Sequence, residues 1–219
     1  MKLLERSYFF SIEDFSSDII AGFTKPNLKV KTPSCIKKVI LDLSSSVKLA
    51  SLIQLHSSKI NIIKKSGLYI GDGLFTDKKN IALLVKTADC LPIFFYNKSK
   101  GIIGLIHMGW QGAVKGILDN LPYKLSLFKV VAGVGLRSCC YEVGKEFLNY
   151  KKIKPFLIKK NNFLYFDPIR FLFTELVARG LRKENFFDIG ICSFCFPYKF
   201  YSFRRDKTNY RTLSFIVKK

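Results

Sequence analysis

Two hydrophobic patterns alternate along the chain. Residues 81–85 and 91–96 are continuous apolar runs, and both read as strands buried on two faces. A short polar connection over 97–101 leads, in hairpin fashion, to a third predicted strand over 101–107. Further strands are predicted over 18–23, 60–63, 128–132, 187–192 and 212–217. Helical spacing occurs over 44–53, where Leu49, Leu52 and Ile53 share one side, and shorter helices are predicted over 113–121 and 143–150. The clearest helix runs between Asp167 and Gly180. Asp167 can cap it, Pro168 sits at the first helical position, and Gly180 can close it. Ile169, Leu172, Phe173 and Leu176 form its apolar face. Gly71-Asp72-Gly73 and Gly133-Val134-Gly135 punctuate the pattern as turns. Strands and helices mix without strict alternation, which predicts the α+β class. No repeat, low-complexity stretch or linker divides residues 1–219, so a single domain is expected.

Composition narrows the picture. Hydrophobic residues make up 48% and aromatics 15%, enough burial to offset the entropy of ordering and to exclude a disordered chain. Lys and Arg total 37 against 16 acids, for a net charge of +21, which favours anionic partners. That charge is carried by 29 Lys and only 8 Arg, with the Lys spread along the chain in short clusters such as Lys151-Lys152. Arg is the residue suited to bidentate reading of bases or phosphates, so the pattern favours a solvated basic surface over a dedicated nucleic-acid stripe. No stretch approaches the ~18 apolar residues of a membrane span. Glu5 and Arg6 interrupt any signal-like start, so a cytoplasmic protein with no membrane partner is expected. Its six cysteines, Cys35, Cys90, Cys139, Cys140, Cys192 and Cys195, are then expected to be reduced.

Candidate chemistry centres on the only two histidines, His56 and His107, and on Cys90. Cys90 and His107 flank two predicted strands and would face each other across a hairpin. Three readings are open on spacing alone. His56, Cys90 and His107 can hold one zinc ion with an open fourth position, the mark of a catalytic rather than a structural site. Cys90 can be a nucleophile with His107 as its base. Or all three can be packing residues. Asp89, beside the cysteine, is a candidate acid or base, though such an Asp is commonly a turn group. Cys192-Ser193-Phe194-Cys195 can form a four-cysteine zinc site with Cys139 and Cys140, or a redox pair. Because adjacent cysteines make an awkward ligand pair, packed thiols are the favoured expectation there. Two histidines cannot furnish a multicopper centre.

Several blocks, in order, resemble one family. They are Thr87-Ala88-Asp89-Cys90-Leu91-Pro92, His107-Met108-Gly109-Trp110-Gln111-Gly112 and Cys139-Cys140-Tyr141-Glu142-Val143-Gly144. Gln54-Leu55-His56, Gly71-Asp72-Gly73 and Phe200-Tyr201-Ser202-Phe203-Arg204-Arg205-Asp206 add to the match. The family is the YfiH/YlmD type, long labelled multicopper polyphenol oxidoreductase (laccase) and also described as purine nucleoside phosphorylase and adenosine deaminase. The resemblance implies a layered α+β sandwich, with mixed sheets flanked by helices, shared with the cytotoxic-necrotizing-factor deamidase domain.

It also implies one zinc held by His56, Cys90 and His107, whereas the older label implies copper. The implied partners are a purine nucleoside and phosphate. The implied reactions are phosphorolysis of adenosine, inosine, guanosine or methylthioadenosine and hydrolytic deamination of adenosine. On this basis Cys90, Asp89 and His107 are the candidate catalytic residues, and Lys25, Trp110, Gln111 and Arg204 the candidate substrate contacts. Two departures stand out. Gln111 occupies the position of a family Arg, and the family's early glycine-rich block shrinks here to Gly22-Phe23-Thr24-Lys25-Pro26-Asn27, leaving residues 1–50 short and divergent. The oligomeric state is not encoded in any of these features. Two readings of other classes stand beside this one: a Cys-His amidase or deamidase, and a basic nucleic-acid-binding module.

Overall fold

The computed structural model describes residues 3–13, 15–26 and 46–219. Its strands, in chain order, begin with β1 (Leu3–Glu5), β2 (Phe9–Ile12), β3 (Ile19–Thr24), β4 (Lys48–Ile53), β5 (Ile60–Ile62) and β6 (Gly67–Ile70). They continue with β7 (Gly73–Thr76), β8 (Ile81–Thr87), β9 (Leu91–Asn97), β10 (Ile102–Met108) and β11 (Lys129–Ala132). The last are β12 (Glu142–Val143), β13 (Leu157–Lys160), β14 (Phe163–Phe166), β15 (Phe186–Asp188) and β16 (Thr212–Lys218). The α-helices among the described residues are α1 (Trp110–Val114), α2 (Pro168–Ala178) and α3 (Phe203–Asp206). Among the described residues the strands form a seven-stranded sheet ordered β1-β2-β3-β16-β8-β4-β6, a six-stranded sheet ordered β15-β11-β9-β10-β7-β5, and a small sheet ordered β12-β14-β13. Parallel and antiparallel pairs coexist, as in β4 with β8 and β9 with β10. The class is α+β.

The period-two alternation of strands explains the layering. On β8, Ile81, Leu83 and Val85 enter the core between the two large sheets, while Ala82 and Leu84 join a smaller cluster on the opposite face. On β9, Phe94 and Tyr96 enter the same inter-sheet core, and Ile93 and Phe95 turn away from it. That far face of the second sheet is covered by Phe171, Leu172 and Leu176 of α2. β9 and β10 are buried along their full length, which is why they read as unbroken apolar runs. Gly104 on β10 is required by close approach: a Cβ there would lie 2.2 Å from the Phe75 ring.

Several expected elements take a different form. The helix expected over 44–53 is the strand β4, and residues 44 and 45 lie outside the described residues. The cause is tertiary: β4 lies parallel between β8 and β6, with Ala50 and Leu52 in the inter-sheet core and Leu49 packed on the other face. The helix expected over 113–121 starts earlier and stops sooner, as the five residues of α1, because Gly116 at φ 82° leaves the right-handed helical region. The segment 143–150 forms a 3-10 helix, Lys145–Asn149, in which only Phe147 is buried. The strand expected over 187–192 is β15 alone, and Cys192 keeps only a single bridge to Gly135. α2 is capped as its sequence predicts, with the Asp167 carboxylate accepting the Arg170 N–H at 3.0 Å.

Candidate metal centre

The centre forms where strands of both large sheets end. β9 and β10 pair antiparallel with Met108 opposite Leu91 and His107 opposite Pro92, which sets Cys90, just before β9, beside the end of β10. β4 delivers the third residue. Beyond Ile53, the Gln54 amide pins itself to β8, donating to the Lys86 carbonyl and accepting the Lys86 N–H, each at 2.8 Å. His56 follows in the left-handed region at φ 52°, a conformation costing a non-glycine residue on the order of 1–3 kcal/mol.

A buried carboxylate offsets that strain. Asp72 is 0% exposed and lies in the bend before β7. Its carboxylate accepts the backbone N–H groups of Leu55 (3.3 Å), His56 (3.1 Å) and Ser57 (2.7 Å) and the Ser57 hydroxyl (2.6 Å). It also accepts the His107 Nδ1–H at 2.8 Å. One carboxylate therefore folds the His56 loop and orients the His107 ring, leaving His107 Nε2 to face the centre. Burial opposes ionisation of Asp72, but the donors from His107 and Ser57 outweigh it and hold the carboxyl well below the usual carboxylate range.

The three side chains meet. The ligand atoms of His56, Cys90 and His107 all lie within 4.8 Å of one another, with Cys90 Sγ 3.7 Å from His56 Nε2 and the two rings 4.8 Å apart between centroids. Burial would raise the Cys90 thiol, but the His107 charge beside it brings its pKa down to about 6. Burial would lower His107, yet the Cys90 thiolate and Asp72 raise it to about 9. Gly109 permits this crowding, since a Cβ there would stand 2.9 Å from Cys90 Sγ and 3.0 Å from His56 Cδ2. Two imidazole nitrogens and a thiolate, braced by a carboxylate behind one imidazole, fit a single zinc-like ion with one position left for an exogenous ligand. They do not fit a multicopper centre, which requires more imidazoles than this chain has.

The centre lies in a cleft of about 1100 Å³. Its lining includes Trp110, Gln111 and Arg204 as well as Lys86, Lys207 and Arg211. Trp110 packs its ring on Phe147 and Tyr150, with centroids 5.0 and 5.3 Å away. Arg204 donates to the carbonyls of Cys140 (3.1 Å) and Glu142 (2.6 Å) and lies over the Tyr141 ring. Asp89 also lines the cleft, at φ 92°. Both its carboxylate oxygens are engaged, accepting the Ser193 hydroxyl at 2.8 Å and the Arg204 N–H at 2.7 Å. Lys25 is not brought to this group: its ammonium pairs with Glu5 at 2.7 Å. Cys35 and Asn27 lie outside the described residues.

Asp72 is the residue whose part sequence reasoning missed. Its signal was an acid held between two glycines, which reads as a turn whether or not the carboxylate does more. The cationic lining by Lys86, Lys207 and Arg211 was likewise invisible among so many basic residues. Away from the centre, the sulfurs of Cys139, Cys140, Cys192 and Cys195 also lie within 4.8 Å of one another.

Comparison with known proteins agrees with this architecture. A purine nucleoside phosphorylase of Borreliella burgdorferi is 30% identical over 221 aligned residues, 94% of each chain. A purine nucleoside phosphorylase of Aquifex aeolicus is 34% identical over 172 residues, 75% of this chain and 80% of that one. The crystal structure of the hypothetical protein YfiH from Bacillus licheniformis superposes with a TM-score of 0.87 at 22% identity, covering 98% of both chains. That of YlmD from Geobacillus stearothermophilus gives 0.87 at 21% identity, covering 99% of this chain and 98% of that one. The model of one sequence family matches residues 31–219, the stretch that carries all three residues of the centre, and the chain therefore belongs to the multi-copper polyphenol oxidoreductase laccase family, which includes proteins of the YfiH/YlmD type.

Proposed function

We propose that the chain is a zinc-dependent purine nucleoside phosphorylase acting on adenosine, inosine, guanosine or methylthioadenosine, with hydrolytic deamination of adenosine as the alternative reaction of the same cleft. The observation that carries this reading is the convergence of His56, Cys90 and His107 in a cleft with a cationic rim. The extended similarity to a purine nucleoside phosphorylase supports it.

In phosphorolysis a phosphate oxygen bonds to ribose C1′ while the bond from C1′ to the purine nitrogen breaks. The base leaves with the bonding electrons and takes up a proton. The nucleophile is an anion, so the cleft has to hold it against fixed positive charge. Lys86 and Lys207 line the cleft and supply that charge in place of the arginine missing at Gln111. Arg204 acts differently: with its guanidinium engaged by two carbonyls, it shapes the wall and supports Tyr141. Tyr141 and Phe203 offer aromatic faces for a purine, and Gln111 and Asn209 offer amides for its edge. Burial, reinforced by the neighbouring Cys90, keeps the Tyr141 phenol protonated, so it can donate to substrate. Asp89 anchors the wall through Ser193 and Arg204. An ion held by His56, Cys90 and His107 would supply a Lewis acid to the substrate.

The test is a product assay with adenosine on zinc-loaded protein, with and without phosphate. Adenine and ribose 1-phosphate appearing only with phosphate is the expected result, while inosine identifies deamination. Absence of both overturns the proposal. His107→Ala should lose the metal and at least ~100-fold of turnover, beyond the range typical of outer-shell changes. Full activity in that variant would equally sink the reading.

A Cys-His amidase is favoured by one observation, the thiolate character of Cys90 beside His107. It requires amide hydrolysis that survives chelation and is abolished by alkylating Cys90.

A further inference from the structure

Cys139 and Cys140 sit in the turn that closes the loop after Leu136, where the Cys140 and Tyr141 N–H groups both donate to the Arg137 carbonyl at 2.9 Å. Cys192 and Cys195 flank a second turn. The bridge between Gly135 and Cys192, with the Ser193 N–H donating to the Gly135 carbonyl at 3.1 Å, lays the two turns side by side. Four sulfurs converge there, with Cys195 Sγ 3.4 Å from Cys140 Sγ and 3.9 Å from Cys139 Sγ, and all four within 4.8 Å of one another. The adjacency of Cys139 and Cys140, an obstacle on paper, is accommodated by the turn.

We propose that Cys139, Cys140, Cys192 and Cys195 hold a second, structural zinc ion as a closed tetrathiolate site. Three observations agree with it. A tetrahedral ion with Zn–S bonds of about 2.3 Å sets its sulfurs about 3.8 Å apart, within the range of spacings seen here. A disulfide would use two of the sulfurs and leave the other pair without a purpose, and a four-iron cubane would hold its thiolates farther apart than a single ion does. Second, burial opposes ionisation of Cys192, but the neighbouring backbone N–H groups of Arg137, Cys195 and Phe194 outweigh it and favour the thiolate. Third, four thiolates on a divalent ion carry net negative charge, and the buried Arg137 guanidinium, paired with Asp188 at 2.7 Å, also lies within electrostatic reach of Cys192 and Cys139. Its Nε has no hydrogen-bond partner among the described residues.

Four protein ligands leave no open position, so this ion is a clip and not a second reaction centre. What it clips is the cleft wall. The Cys140 and Glu142 carbonyls receive Arg204, the Ser193 and Phe194 carbonyls receive Arg205 at 2.8 and 2.7 Å, and the Ser193 hydroxyl reaches Asp89. The site stands whether or not the cleft acts on nucleosides, because its ligands are separate from His56, Cys90 and His107.

Elemental analysis of protein purified under reducing conditions tests the proposal. Two zinc ions per chain are expected in the wild type, one in His107→Ala and one in Cys195→Ser. Cobalt-loaded His107→Ala should show the intense charge-transfer bands of a tetrathiolate ion, and chelation should lower its Tm by several degrees. This measurement decides the matter even if Cys195→Ser fails to fold. Failure of the nucleoside reading would leave these metal counts unchanged. A metal content unchanged by Cys195→Ser, a disulfide among the four thiols in the metal-free native protein, or iron in place of zinc would each overturn the assignment.

Discussion

Replacing Asp72 by Asn keeps the side chain's shape and removes its charge. The amide cannot accept from the N–H groups of His56 and Ser57, the Ser57 hydroxyl and His107 together, because half of its polar surface now donates. Asp72→Asn should therefore weaken zinc binding by about 10–100-fold, read by competition with a chromogenic chelator. Unchanged affinity would mean that Asp72 only shapes the loop. Cys90 and His107 carry a second prediction, for metal-stripped protein. His107, raised to about 9, stabilises the fold fully below its ordinary value of 6.5 and loses that contribution as pH rises through about 9. Cys90, lowered to about 6, stabilises fully above its ordinary 9.0 and loses that contribution as pH falls through about 6. The Tm of the stripped protein should thus be highest between these limits, and Cys90→Ala should flatten the profile in a thermal-shift series. The identity of the three centre residues was visible because histidine is scarce here. The carboxylate that organises them was not, because a buried acid and a turn acid look alike in sequence.

Elements were legible where one environment surrounds the whole segment. β8, β9 and β10 are buried on both faces, and an unbroken apolar run admits few other readings. α2 carries its own cap and apolar stripe, so local chemistry and packing agree. β4 departs from the helical expectation because Leu49, Leu52 and Ile53 satisfy a helical template by chance, while pairing with β8 and β6 decides the segment. The short strands β12 to β14 carry too little pattern to stand out. A prediction at this scale concerns Gly104, whose position lets Phe75 cross β10 within the core cluster. Gly104→Ala forces the ring to move and should cost about 1–3 kcal/mol. In a chain of this size that lowers Tm by about 2–4 °C per kcal/mol, measurable by calorimetry. A wild-type Tm would contradict the packing described.

For the molecule as a whole, the charge of +21 is the dominant long-range property. No described helix is long and apolar enough to cross a membrane. Spread over so many lysines, the charge should give weak, sequence-independent attraction to polyanions. Fluorescence anisotropy with a short labelled RNA should show binding at low salt that collapses at physiological salt. Tight binding that persists there would restore a nucleic-acid reading. The same field favours anions near the cleft, consistent with phosphate as a substrate.

The class of the fold, its central strands, its best-capped helix and the short list of residues able to hold a metal are all legible in the amino-acid order alone. These follow from composition, local periodicity and the rarity of certain side chains, all properties of neighbouring residues or of counts. Long-range packing is what makes β4 a strand, lets Asp72 brace two elements at once, pairs Lys25 with Glu5 rather than with the cleft, and brings four distant cysteines together. Each depends on which segments the two sheets bring side by side, and that pairing is fixed by burial across the whole chain rather than by any stretch of it.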